Sequence, residues 1–129
     1  MLRNKVIGQV EEILQKGWHN PSLVAPARRD AYYKILRVDN WDRALWEFVR
    51  ATRPDAGKTP PESVRVPTLV VAGEHDRIER TQDIVRFAAA IPQANLALLP
   101  DAGHCPQEEA PEPFMQAMRE YLAVAPDIR

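Results

Sequence analysis

One aspartate and one histidine, Asp76 and His104, each come just after a short apolar run. The runs are 66–72, Val-Pro-Thr-Leu-Val-Val-Ala, and 95–99, Asn-Leu-Ala-Leu-Leu. Short continuous runs of this kind predict parallel strands that are buried on both faces. Because the carboxyl ends of neighbouring parallel strands meet at one edge of a sheet, we expect Asp76 and His104 to lie together there.

A carboxylate beside an imidazole has a definite chemical use. When it accepts a hydrogen bond from Nδ1, it fixes the imidazole tautomer and stabilises the imidazolium that forms in general-base catalysis. The pair Asp76 and His104 is therefore the candidate catalytic site. The histidines at 19, 75 and 104 have no metal-ligand spacing, so the sequence predicts no metal site, and nothing in it calls for a cofactor.

Three segments position this pair. Residues 1–53 are predicted to be helical, most clearly at Trp41–Thr52, where apolar residues recur at helical spacing on one face. Within this segment His19 is assigned to a turn, and Pro26 is predicted to open a helix. Residues 54–63 form a linker rich in Pro, Gly and Asp. Residues 64–129 predict the order strand, helix, strand, helix. In this order Thr81 caps the first helix, whose Ile84, Phe87, Ala88 and Ile91 face inward, and Pro111 or Pro113 opens the last.

The second half of the chain resembles the α/β-hydrolase family. The run 66–76 with its Gly-Glu-His-Asp ending looks like that family's penultimate strand and acid turn, and 99–104, Leu-Pro-Asp-Ala-Gly-His, looks like its last strand and histidine turn. The segment 108–114, Glu-Glu-Ala-Pro-Glu-Pro-Phe, resembles the opening of its final helix. The fold class expected is α/β: the C-terminal portion of an α/β-hydrolase, with two parallel strands and crossover helices behind a helical segment.

The resemblance also implies roles. It makes Asp76 the acid and His104 the base of a catalytic triad, and it makes residues 1–53 a lid over the site. Enzymes of this family need a nucleophile on the turn G-x-(S/D/C)-x-G. No two glycines of this sequence are four residues apart, and its two serines, Ser22 and Ser63, do not stand between a strand and a helix. In the family the nucleophile precedes the lid, so we expect it upstream of Met1.

Two hypotheses follow. The first is a hydrolase fragment that acts on a small, fairly apolar substrate through a nucleophile-His-Asp triad and is inactive alone. The second is a non-catalytic truncated homologue that is a binding or interaction module, or that needs a complementing chain. Two strands with open edges also predict self-association.

Composition excludes several other classes. The formal net charge is −1 over 129 residues, which is too balanced for a nucleic-acid-binding surface. The apolar runs are too short to cross a membrane, and the single cysteine suggests a reducing, cytoplasmic location. Three further residues are interpreted as structural. His75 is predicted to be an exposed turn or pocket-wall residue, Cys105 a buried thiol, and Glu109 a charge at a helix N-terminus.

Overall fold

A computed structural model describes residues 2–52 and 59–124, with side chains from residue 8 onward. These residues form two compact units: one contains residues up to 15 together with 21–52, and the other contains 16–20 with the residues from 59 onward. Part of the predicted linker, 54–58, lies outside the described residues. The rest of it includes a short 3-10 turn at Pro61–Ser63.

The first unit consists of helices. They are α1, Leu2–Gly17, whose last two residues belong to the second unit; α2, Pro26–Lys34; and α3, Trp41–Ala51. Pro26 opens α2 as the sequence predicts, because proline at the first helical position loses no hydrogen bond. Glu11 links α1 to α2 by accepting hydrogen bonds from Arg29 and Tyr33.

The second unit alternates strands and helices. In chain order they are β1, Thr68–Gly73; α4, Thr81–Ala90; β2, Ala94–Leu99; a short α5, Pro106–Glu109; and α6, Pro111–Val124. The strands pair in parallel, with Thr68 opposite Ala94 and Gly73 opposite Leu99. Both therefore end at the same edge, and the predicted α/β class with two parallel strands is confirmed.

Three predictions about the strands and α4 were wrong. The strands are not buried on both faces: only their carboxyl ends, Ala72, Gly73 and Leu99, are buried, because the sheet formed by the described residues has two strands and leaves much of each one uncovered. Phe87 is exposed, since it stands at the margin of the apolar stripe of α4. Thr81 does not cap α4 but is its first residue, and its hydroxyl donates to the carbonyl of Glu74 instead.

No helix within the described residues combines the length and the hydrophobicity that crossing a bilayer requires.

Candidate active site

The two turns that follow β1 and β2 are joined by backbone hydrogen bonds. The N–H of Glu74 donates to the carbonyl of Leu99 at 3.0 Å, and the N–H of His75 donates to that of Ala102 at 2.9 Å. Ala102 is fully buried. The pairing of the strands thus continues past their ends, and it sets the turn that carries Asp76 beside the turn that carries His104.

Gly73 allows this close approach. A Cβ at that position would lie 2.2 Å from the carbonyl oxygens of both Ala102 and Gly103. Main-chain atoms cannot move aside as the end of a flexible side chain can, so only glycine fits at the end of β1.

Asp76 and His104 are in direct contact, as the positions of their strands predict. Nδ1 of His104 lies 2.9 Å from Oδ2 of Asp76, and the Asp76 side chain is only 4% exposed whereas that of His104 is 41% exposed. The other oxygen, Oδ1, accepts hydrogen bonds from the N–H groups of Ile78 at 2.8 Å and Glu79 at 2.9 Å. The carboxylate is thereby fixed from both sides.

The environment of Asp76 favours its ionised form. Burial by itself raises the pKa of this carboxyl, but the hydrogen bonds from His104, Glu79 and Ile78 together outweigh burial and hold the pKa below its usual value. An ionised carboxylate can only accept hydrogen bonds, so Nδ1 of His104 is the donor. This tautomer directs the lone pair of Nε2 away from Asp76, where it can take a proton from another group.

Glu109 has a role that the sequence did not predict. Its carboxylate accepts a hydrogen bond from the N–H of Gly103 at 2.8 Å and another from the N–H of His19 at 2.6 Å. The N–H of His104 donates in turn to the carbonyl of Gly17 at 2.7 Å. Because Glu109 and His19 are 90 residues apart in the chain, no local pattern could have indicated this connection.

A second connection fixes the same segment to the acid turn. The guanidinium of Arg77, next to Asp76, donates to the carbonyls of Trp18 at 2.6 Å and His19 at 3.0 Å. Trp18 is 2% exposed. The segment 17–19, in which Gly17 and Trp18 are buried, therefore holds both site-bearing turns. It belongs to the second unit although the sequence places it in the predicted helical segment.

Four other residues were singled out in the sequence: His75, Cys105, Ser22 and Ser63. His75 is exposed and, with His19, Asp76 and Arg77, lines a depression of about 330 Å³. Cys105 is half-buried, not buried as predicted, because it stands between the exposed His104 and the buried Pro106. Ser22 and Ser63 each lie in a 3-10 turn, and the hydroxyl of Ser63 donates to the carbonyl of Pro60.

Comparison with known proteins gives a consistent result. Residues 5–117 match the model of the "Alpha/beta hydrolase family". An uncharacterized hydrolase of Bacillus subtilis is 26% identical over 104 residues, which are 81% of this chain and 38% of that protein. A thermophilic esterase from Thermogutta terrifontis superposes with a TM-score of 0.72 and 28% identity, over 95% of this chain and 47% of the esterase.

A further solved structure shows the same fold at lower identity. The meta-cleavage product hydrolase from Pseudomonas fluorescens superposes with a TM-score of 0.75 at 18% identity, over 91% of this chain and 45% of that protein. The chain thus spans less than half the length of each of these three proteins.

Proposed function

Because the chain belongs to the alpha/beta hydrolase family, we propose that it is the part of a hydrolase that carries the acid and the base of the catalytic triad. Asp76 is the acid, His104 is the base, and residues 1–53 are the lid. The nucleophile comes from residues outside this sequence, which contains no G-x-(S/D/C)-x-G. The observation that carries the proposal is the 2.9 Å hydrogen bond between the nearly buried carboxylate of Asp76 and Nδ1 of His104.

In the whole enzyme, Nε2 of His104 takes the proton of the nucleophile as it attacks the substrate, and later returns a proton to the leaving group. Asp76 keeps the ring in the required tautomer and stabilises the imidazolium. The ionised state of Asp76 is suited to that task, since its hydrogen bonds hold its pKa low. The reaction needs no cofactor in this scheme.

The substrate is proposed to be small and fairly apolar. In support, the helical unit carries a cavity of about 520 Å³ whose lining is entirely of apolar and aromatic residues. An apolar lid cavity suits an apolar acyl or alkyl group better than a charged one, because a charge would lose its hydration there. The lining residues are Ile35, Leu36, Val38, Trp41, Ala44, Leu45 and Phe48.

The test begins with the gene sequence upstream of the Met1 codon. If an open frame there encodes G-x-(S/D/C)-x-G, the whole frame is expressed and assayed on short-chain esters. We expect His104→Ala to lower kcat at least about 1,000-fold. Asp76→Asn is expected to lower it strongly as well. The matched control Asp83→Asn should retain activity, because Asp83 lies on α4 and pairs there with the exposed side chains of Arg80 and Arg86. Equal activity of His104→Ala and the unaltered enzyme would rule out the proposed base.

The alternative is a non-catalytic homologue that is a binding or interaction module, or that needs a complementing chain. The absence of the nucleophile motif fits this alternative as well as it fits a hydrolase fragment. A stop codon and a ribosome-binding site directly upstream of Met1 would support this alternative. The chain alone is expected to show no covalent turnover, and any slow ester hydrolysis by it should disappear in His104→Ala.

A further inference from the structure

A cluster of potential metal ligands lies near the candidate active site but is not used by the proposed mechanism. His19, His75 and Asp101 each offer one ligand atom, and the three atoms lie within 4.8 Å of one another. Nε2 of His19 is 4.0 Å from Oδ1 of Asp101. We propose that these three side chains bind a divalent transition-metal ion of the Zn²⁺ class. This proposal does not depend on the proposed hydrolase function.

The types of ligand atom decide which class of metal ion this cluster can bind. Two imidazoles and one carboxylate are ligands that Zn²⁺ uses in sites that keep a further position for water. Mg²⁺ and Ca²⁺ prefer oxygen ligands alone, and they are expected to bind weakly or not at all. No local pattern indicates this site, because the histidines are far apart in the chain and only the folding of the second unit brings them together.

The backbone at all three positions is held in place. The N–H of His19 donates to Glu109, and the N–H of His75 donates to the carbonyl of Ala102. Asp101 occupies a left-handed turn with a φ of 57°, directly before the fully buried Ala102. The ligands therefore come from three anchored segments of one unit, and side-chain rotation alone has to complete the site.

That rotation is needed. The rings of His19 and His75 are stacked, with centroids 3.9 Å apart and planes 20° from parallel, so their lone pairs do not point at a common position. Tetrahedral Zn²⁺ at about 2.0–2.1 Å from each ligand places its donor atoms about 3.3 Å apart. The present separation of up to 4.8 Å closes if one ring turns out of the stack. His75 is exposed, so its ring has room to turn.

Nearby charged side chains both favour and oppose the binding of a cation at this cluster. Asp101 supplies a negative charge from a side chain that is 90% exposed. Arg77 is positive and lines the same depression as the two histidines, but its guanidinium is directed toward the carbonyls of Trp18 and His19. The balance predicts moderate affinity, weaker than that of a closed structural zinc site.

The experiment is calorimetric titration of the full, tag-free chain with ZnCl₂, and separately with MgCl₂, at a pH of about 7.5, where an ordinary histidine is neutral. We expect one Zn²⁺ per chain and no heat from Mg²⁺. Asp101→Asn should weaken Zn²⁺ binding at least about 10-fold. It should fold normally, because asparagine tolerates the left-handed conformation as aspartate does. His75→Gln is expected to have a similar or larger effect.

His104→Gln is the matched control, because it removes the third histidine and leaves the cluster whole. Nitrogen-15 spectra of the imidazoles provide a second measurement: Zn²⁺ should shift the signals of His19 and His75 and leave those of His104 in place. Absence of Zn²⁺ binding would overturn the proposal. So would a loss of affinity in His104→Gln with none in His75→Gln, which would place the ion at the acid–base pair, or equal binding of Mg²⁺.

Discussion

The two units of this chain use their residues in opposite ways. In the second unit, buried backbone and fixed polar groups dominate near the site: Gly73 fits against two carbonyls, and Glu109 accepts from two separate segments. In the helical unit, α3 buries Trp41 but exposes most of its apolar side chains, among them Phe48, which is 69% exposed. The first arrangement suits chemistry that requires fixed geometry. The second suits a surface that contacts apolar groups whose exact position matters little.

The difference predicts unequal tolerance to substitution, most strongly at glycine. Gly73→Ala should destabilise the fold by at least about 3 kcal/mol, because the new methyl group meets main-chain oxygens at 2.2 Å. Gly8→Ala in α1 is the control, because a Cβ placed there would have no atom of another described segment within 4 Å. Alanine also favours a helix over glycine by about 0.5–1 kcal/mol. Urea unfolding measures both. Similar effects of the two changes would contradict the close approach at Gly73.

The next effect is at Glu109. Glu109→Gln should cost about 2 kcal/mol, because the amide retains one acceptor oxygen and sets its NH₂ group against one of the two N–H donors. Glu112→Gln, on the exposed first turn of α6, should change the unfolding free energy by less than about 0.5 kcal/mol. If the two variants unfolded alike, the carboxylate of Glu109 would not be holding the segments together.

A smaller effect, which depends on pH, is expected at Asp76. Asp76→Asn should cost about 1 kcal/mol at neutral pH, since the amide oxygen still accepts from Ile78 and Glu79 but the charge is lost. The pKa of Asp76 in the folded chain lies below its ordinary value. The ionised group therefore stabilises the fold above the unfolded-state pKa of about 3.9, and this stabilisation is lost as the pH falls through the folded-state pKa.

Urea unfolding of both proteins from pH about 7 down to about 2.5 measures this linkage. The difference between them should be constant at the upper end and shrink below a pH of about 4. A difference that grew on acidification would mean that the folded-state pKa is raised, not lowered.

The smallest change in stability is expected in the helical unit. Phe48→Ala should alter the unfolding free energy by less than about 0.5 kcal/mol, because the ring is mostly exposed. It should nevertheless reduce binding of an apolar fluorescent dye, since Phe48 lines the apolar cavity. Phe87→Ala is the control and should leave dye binding unchanged, because Phe87 is also exposed but does not line that cavity. A cost above about 2 kcal/mol for Phe48→Ala would show that this surface is covered in solution.

The sequence by itself determined the main strands and helices and their order, but not the short α5 between β2 and α6. Apolar runs before Gly73 and before Pro100 predicted the strands, because apolar periodicity acts over a few residues. Proline marked helix starts: Pro26 opens α2, and of the two candidates Pro111 and Pro113 the structure shows that Pro111 opens α6. The contact of Asp76 with His104 was also predictable, since parallel strands bring their carboxyl ends to one edge. The roles of this pair in catalysis stay predictions.

Only the tertiary structure decided what holds that pair in place. Glu109 looked like a charge at a helix end, and His19 like part of a turn, yet each has its partner on a distant segment. The exposure of Phe48 and Phe87 was likewise decided by which surfaces the fold covers. Local sequence specifies local conformation, whereas these contacts depend on the path of the whole chain, and no pattern of a few residues encodes that path.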